Sequence, residues 1–224
     1  MRIRFSLLLA ALPLTGLVAQ EQRRLEFRIT GTEKDTVYLA NYYGNKLYYA
    51  DTAVADAKGE VVFDRPQGYK AGVYAVVVKG PKYFELIVNE PQVRMRTSAA
   101  DLMGAMAVEK SQENSLFFGY IRFLNERKSQ GDSLRTLLND ATDPLRRSVL
   151  KGRLEELDKE VRTYQSDLVA KAPGSLVAAI VRMSMPVDLE KPRLPDGRVD
   201  SIAAYYQYRE HYWDHVDLKD PRII

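Results

Sequence analysis

The side chains best suited to chemistry gather in "REHYWDH", residues 209–215, where His211 and His215, the two histidines of the chain, stand four apart beside Glu210 and Asp214. On a helix, residues four apart share a face, the spacing that zinc-binding histidine pairs use. In zinc hydrolases of the H-E-x-x-H type the general base directly follows the first histidine, and here that position is Tyr212, which argues against catalytic zinc of that kind. A simpler metal site would need Glu210, Asp214 or Asp217 as a third ligand, but carboxylates this close in sequence cannot all turn to one ion while the helix persists. The competing expectation is a terminal helix with Ile202, Tyr205, Arg209, Trp213 and Val216 facing inward and the histidines at its edge.

The second group is "VYLANYYGNKLYYAD", which brings Tyr38, Tyr42, Tyr43, Tyr48 and Tyr49 together on a hairpin. Exposed tyrosines on a sheet make platforms for glycan or peptide, because each ring offers an apolar face and a hydroxyl at low entropic cost. Tyr42, Tyr43, Tyr48 and Tyr49 are therefore a candidate ligand face. Tyrosine is also an ordinary strand residue, and side-chain alternation is expected to bury one of each adjacent pair.

Elsewhere the sequence offers no Ser-His-Asp set and no glycine-rich phosphate loop, and no cofactor or catalytic residue is nominated. With zero cysteines, thiol chemistry and disulfide staples are both excluded within these residues. The expectation is a non-enzymatic chain.

Two kinds of element must position these groups. From Leu25 to Thr97, runs such as "LEFRIT", "EVVFD", "VYAVVVK" and "YFELIV" are rich in Val, Tyr, Phe and Thr, with "YGNK" and "DAKGE" as turns between them. They predict an antiparallel β-sandwich of about seven strands over residues 20–98. Residues 99–108, "AADLMGAMAV", read as a linker, and 109–224 as an all-α helical unit, giving an α+β chain.

Within that unit the spacing predicts a helix over about Glu113–Lys128 and a short second one in "GDSLRTLLND". The clearest helix follows Asp143 as cap and Pro144 in the first turn, and ends at Pro173 and Gly174. Its stripe of Leu145, Val149, Leu150, Leu154, Leu157, Val161, Tyr164, Leu168 and Ala172 packs on neighbouring helices or on a coiled-coil partner. "SLVAAIVRMSM" is apolar nearly all round and reads as buried, whereas "PVDLEKPRLPDGR" reads as a surface segment.

At the start, Arg2 and Arg4 precede an apolar run to Ala19 that is too short to span a bilayer, which predicts a signal peptide over residues 1–19. An uncleaved anchor is the alternative, since Leu17 is not an ideal residue two before the cut. Removing that segment takes away two arginines and no acid, so Lys+Arg falls from 33 to 31 against 30 Asp+Glu. The basicity therefore belongs to the targeting signal, and no basic stripe recommends a nucleic-acid partner. The expected location is the periplasm or cell envelope of a bacterium, with no integral membrane segment after cleavage.

At "YYQYREHYWDHVDLKDPR" the chain resembles the helical module, a domain of unknown function, of exported TlpA/ResA-like thioredoxin-family proteins. "FRITG", "VYLANYYG", "ADTAVADAKGEVVF" and "GVYAVV" are similar, in that order, to the β-rich module that opens those proteins, and "EKSQENSLFFGYIRFL" to the crossing between the two. The resemblance implies a thiol-disulfide oxidoreductase whose reactive Cys-x-x-Cys lies in a C-terminal thioredoxin domain. This sequence has no cysteine to inherit that role. The implied job is to position or select protein or peptide substrates for such a domain, and the alternative is a free-standing envelope module that binds glycan or peptide through the tyrosines. "DLKDPRII" reads as a turn leading into another helix, so the expectation is a helical unit incomplete at its C-terminus.

Overall fold

The computed structural model describes residues 23–44, 46–80 and 82–223, and the expected signal peptide lies outside them. The class is α+β, with two four-stranded sheets and four helices among the described residues. The strands are β1 (Arg24–Thr30), β2 (Thr36–Tyr43), β3 (Lys46–Val54), β4 (Glu60–Phe63), β5 (Gly72–Val78), β6 (Lys82–Val88), β7 (Gln92–Ser98) and β8 (Ala107–Lys110). The helices are α1 (Gln112–Asp140), α2 (Pro144–Lys171), α3 (Leu176–Ser184) and α4 (Ser201–His211).

The first sheet has the order β4-β1-β7-β8 and the second β3-β2-β5-β6. Alternation builds both: Leu25, Phe27 and Ile29 on β1 and Val93 and Met95 on β7 are buried, while the charged residues between them face outward. Phe27 lies between Phe63 of its own sheet and Phe84 of the facing one, with ring centroids 6.1 and 5.9 Å away in edge-to-face contacts.

The expected antiparallel-rich sandwich forms with one exception in its pairing, and two further expectations need correction. The β1–β7 pair is parallel, Leu25 opposite Val93 and Phe27 opposite Met95, so the sandwich is antiparallel in all but that pair. Parallel neighbours need a long crossover, and here the whole second sheet supplies it, which local turn signals could not reveal. Residues 99–108 are not a linker: Leu102 and Met106 are buried in the sandwich core, and β8 pairs with β7 from Ala107 onward. The other correction concerns α1, which runs unbroken through Gly131 to Asp140 in place of two helices. A single interior glycine costs only about 1 kcal/mol relative to alanine, too little to end a helix whose backbone bonds continue on both sides.

The cap of α2 forms as its sequence demands: Asp143 accepts from the backbone N–H groups of Leu145 and Arg146, with Pro144 behind it. Arg147 donates at 2.9 Å to the carbonyls of both Leu138 and Ala141, closing the end of α1 against the start of α2. The apolar stripe of α2 is buried only in part. Leu150 and Leu168 are covered, but Leu145 is 73% and Val149 58% exposed, because the far end of the hairpin reaches beyond the rest of the molecule.

The near end packs on the outer face of the second sheet. Ile87 and Val73 meet Tyr120, Leu168 and the buried residues Leu176, Val177 and Val181 of α3. Two buried polar side chains lock this contact. Asn114 of α1 accepts from the Ile87 N–H and donates to the Ile87 carbonyl, both at 2.8 Å, so its amide acts as the missing neighbour of edge strand β6. Glu113 accepts from the N–H groups of Leu176 and Val177, both at 3.1 Å, and from Asn89 at 2.5 Å, placing a carboxylate at the N-terminus of α3.

Candidate ligand-binding face

The helices cover one end of the second sheet's outer face, and tyrosines occupy the rest. The register places Tyr38 of β2 opposite Val77 of β5, and Val77 opposite Tyr83 of β6. One step along, Ala40, Ala75 and Glu85 form the next row. Ala40 and Ala75 are fully buried, and their small side chains leave room for the flanking rings to lie over the sheet. Tyr49 of β3 stacks on Tyr38 with centroids 4.6 Å apart and is 68% exposed, presenting a paired aromatic surface to solvent.

Tyr42 closes the face on the helix side. Its hydroxyl donates to the Glu85 carboxylate across β5, and Tyr83 adds a further contact. Burial and the adjacent carboxylate both push the Tyr42 hydroxyl well above the ordinary tyrosine range, so this group stays protonated and serves as a donor. Beside it opens a crevice of about 350 Å3 between the sheet and α3, lined by Asn41, Tyr42, Val73, Ile180, Met183 and Arg222.

The predicted face is therefore split. Tyr42 and Tyr49 share the outer surface, and the Tyr43 side chain falls outside the described residues. Tyr48, pointing the other way from Tyr49, is 50% exposed, against the expectation that one of each adjacent pair is buried. β3 is the edge strand of its sheet, with β2 as its one neighbour there. Sequence reasoning omitted Tyr38 from the face and missed Tyr83 and Glu85, which lie in strand "KYFELIV". The available signal was that strand's own period: Tyr83 and Glu85 alternate with the core residues Phe84 and Leu86.

The histidine pair does not share a helical face. Helix α4 ends at His211, and residues 212–215 form turns. His211 Nδ1 lies 2.7 Å from Asp214 and His215 Nδ1 lies 3.2 Å from the Met185 carbonyl, so each ring has its own local partner. Among the described residues no group of three or more His, Asp or Glu side chains is arranged to hold a metal ion. The inward face expected for this segment is also absent. No residue of α4 is buried, and Ile202 and Trp213 are 73% and 59% exposed.

Flat rings edged by hydroxyls, with the Glu85 carboxylate beside Tyr42, suit stacking and hydrogen bonding to a ligand. No helix among the described residues is long and apolar enough to cross a membrane.

No protein-family model and no curated protein matches the chain. Among solved structures, (S)-allantoin synthase is similar over 42% of this chain and 45% of its own, at 12% identity and a TM-score of 0.30. The chain thus spans under half of that relative's length, and so slight a likeness bears on neither fold nor chemistry.

Proposed function

We propose that this chain is the non-catalytic N-terminal region of an extracytoplasmic thioredoxin-like protein of the TlpA/ResA type, where it holds peptide or protein substrates for a downstream thiol-disulfide oxidoreductase domain. The observation that carries the reading is the tyrosine face. Helices cover one half of an outer sheet surface while Tyr38, Tyr49 and Tyr83 leave the other half open and aromatic. Aromatic surfaces that stay in water on a folded chain are characteristic of recognition. The uncovered aromatics of α4 and the turns after it support the same reading, as a second surface for a neighbouring domain.

The Tyr38–Tyr49 stack with Glu85 nearby also favours a second reading, a free-standing envelope module that takes a glycan or peptide on this face. The coding sequence beyond Ile224 separates the two, since a Cys-x-x-Cys domain there supports the first and a stop or an unrelated domain the second. The face itself is tested by titrating an unfolded model substrate into Tyr49→Ala and Tyr38→Ala variants. Binding is expected to weaken at least tenfold while the unfolding midpoint stays in place. Unchanged binding in both would remove the face from the reading.

A further inference from the structure

The outer face of the first sheet carries a ladder of charges, and on one rung two arginines stand side by side. Parallel pairing sets Arg24, Glu26, Arg28 and Thr30 of β1 opposite Gln92, Arg94, Arg96 and Ser98 of β7. Glu26 is fully engaged. It accepts from Arg24 at 2.5 Å and from Arg94 at 2.6 Å, and the two guanidinium groups hold its carboxyl below the usual carboxylate range. It has nothing to offer the next rung, where Arg28 stands directly opposite Arg96.

Like charges facing each other across neighbouring strands oppose pairing. Among the described residues Arg28 makes no hydrogen bond or ion pair, although its charge is felt at Asp56 and Glu60 is its register partner on β4. Arg96 approaches Glu109 through Nε at 3.3 Å, and its side chain is 61% exposed. That exposure leaves the guanidinium open to a ligand from solvent. The two arginines line a cleft of about 330 Å3 with Thr30, Thr97, Ser98 and Ala105. Ser98 accepts from the Ala100 N–H at 3.3 Å, so its own proton can be donated, and Thr30 makes only a long contact of 3.5 Å to the Thr97 carbonyl.

We propose that this cleft binds a phosphomonoester group. Two adjacent guanidiniums offer paired N–H forks to the oxygens of a phosphate, with Glu60 and Glu109 flanking them on the outer strands. The Thr30 and Ser98 hydroxyls lie in register at the next rung to complete the oxygen shell. The cleft volume admits phosphate with part of the organic group that carries it. This site is on the opposite sheet from the tyrosine face and stands or falls independently of it.

The test is titration of the whole chain with inorganic phosphate at constant ionic strength, read from the Arg Nε–Hε resonances, with acetate as the monoanion control. Saturable shifts are expected for phosphate, at least tenfold tighter than for acetate. Arg28→Gln and Arg96→Gln should each weaken binding tenfold or more. Arg94→Gln, whose guanidinium is already committed to Glu26, should stay within twofold. Co-sedimentation with phosphatidic acid vesicles that both variants abolish would place the phosphate on a lipid, whereas phosphate binding without co-sedimentation would place it on a soluble ligand, and both support the site. Equal loss in all three variants, equal affinity for acetate, or no saturation overturns it.

Discussion

The first turns of α1 and the region from α4 to His215 are both rich in aromatics, yet the rings of the first pack into the fold and those of the second lie in water. The first carries Phe117, Phe118, Tyr120 and Phe123; the second Tyr205, Tyr206, Tyr208, Tyr212 and Trp213. What separates them is polar. The base of α1 has Asn114 and Glu113, whose buried side chains satisfy backbone groups of β6 and of α3 at fixed geometry. The region of α4 has a cap from Asp200 on its own chain and a His215–Met185 contact, and its rings meet mainly one another, as in the Tyr212–Trp213 pair at 4.9 Å. Aromatic content sets how much surface a segment could bury. Specific polar pairing decides where it docks, because a misplaced approach would leave buried donors and acceptors unmet.

The sharpest way to break this contrast is Asn114→Ala. It removes both bonds to Ile87 and leaves a fully buried N–H and C=O without partners, a loss of roughly 3 kcal/mol given 1–3 for each orphaned group. Urea unfolding should show the midpoint falling with little change in slope. A loss under about 1 kcal/mol would mean that apolar packing alone locates the helix, since orphaned groups should cost more. Glu113→Gln is expected to cost less, about 2 kcal/mol, because one amide oxygen still accepts while the other position turns a donor toward a backbone N–H. Calorimetry should register it as a lowered Tm with α3 partly released in hydrogen exchange.

A smaller effect is expected in alkali, and it marks the sandwich rather than the helices. Burial and its bond to Asp51 push the Tyr69 hydroxyl far above the ordinary tyrosine range. The folded chain then keeps a proton that the unfolded chain releases, so stability is intact below the ordinary tyrosine value and declines as pH rises through and beyond it. Absorbance titration should find Tyr69 and Tyr42 ionising only above the ordinary tyrosine range, and Tyr69→Phe should flatten the alkaline decline in stability. A decline of the same size in that variant would assign it to other groups.

How much of this was legible follows from the range of each signal. Alternation in "LEFRIT" and the cap at Asp143–Pro144 are local, and both elements form where the sequence puts them. The parallel β1–β7 pair, the core role of Leu102 and the completion of β6 by Asn114 depend on residues far apart in the chain, and no local period encodes them. The tyrosine face was half legible. Its β2 and β3 members are adjacent in sequence, but Tyr83 and Glu85 join only through the order of strands in the sheet. The inward face read into 202–216 failed because a helical stripe shows that a face is apolar, not that anything covers it.

The smallest effect tests the exposed side of the comparison. Trp213→Ala deletes the largest side chain of the α4 region, and a buried tryptophan lost in this way costs about 3–5 kcal/mol. Here the ring is 59% exposed and touches chiefly Tyr212, so the change in unfolding energy should stay within about 0.5 kcal/mol. Its fluorescence should report water contact, with a red-shifted maximum and ready quenching by acrylamide. A cost above about 1 kcal/mol or a blue-shifted, protected emission would show that the segment is covered in solution and end the contrast. The same substitution made in a chain extended through any following domain sharpens it further. If the exposed rings form the surface for that domain, emission there should be blue-shifted and the cost should rise toward that of a buried ring. If the cost stays near zero in both forms, the rings contribute to no such interface, and the tyrosine face is left as the proposed recognition surface.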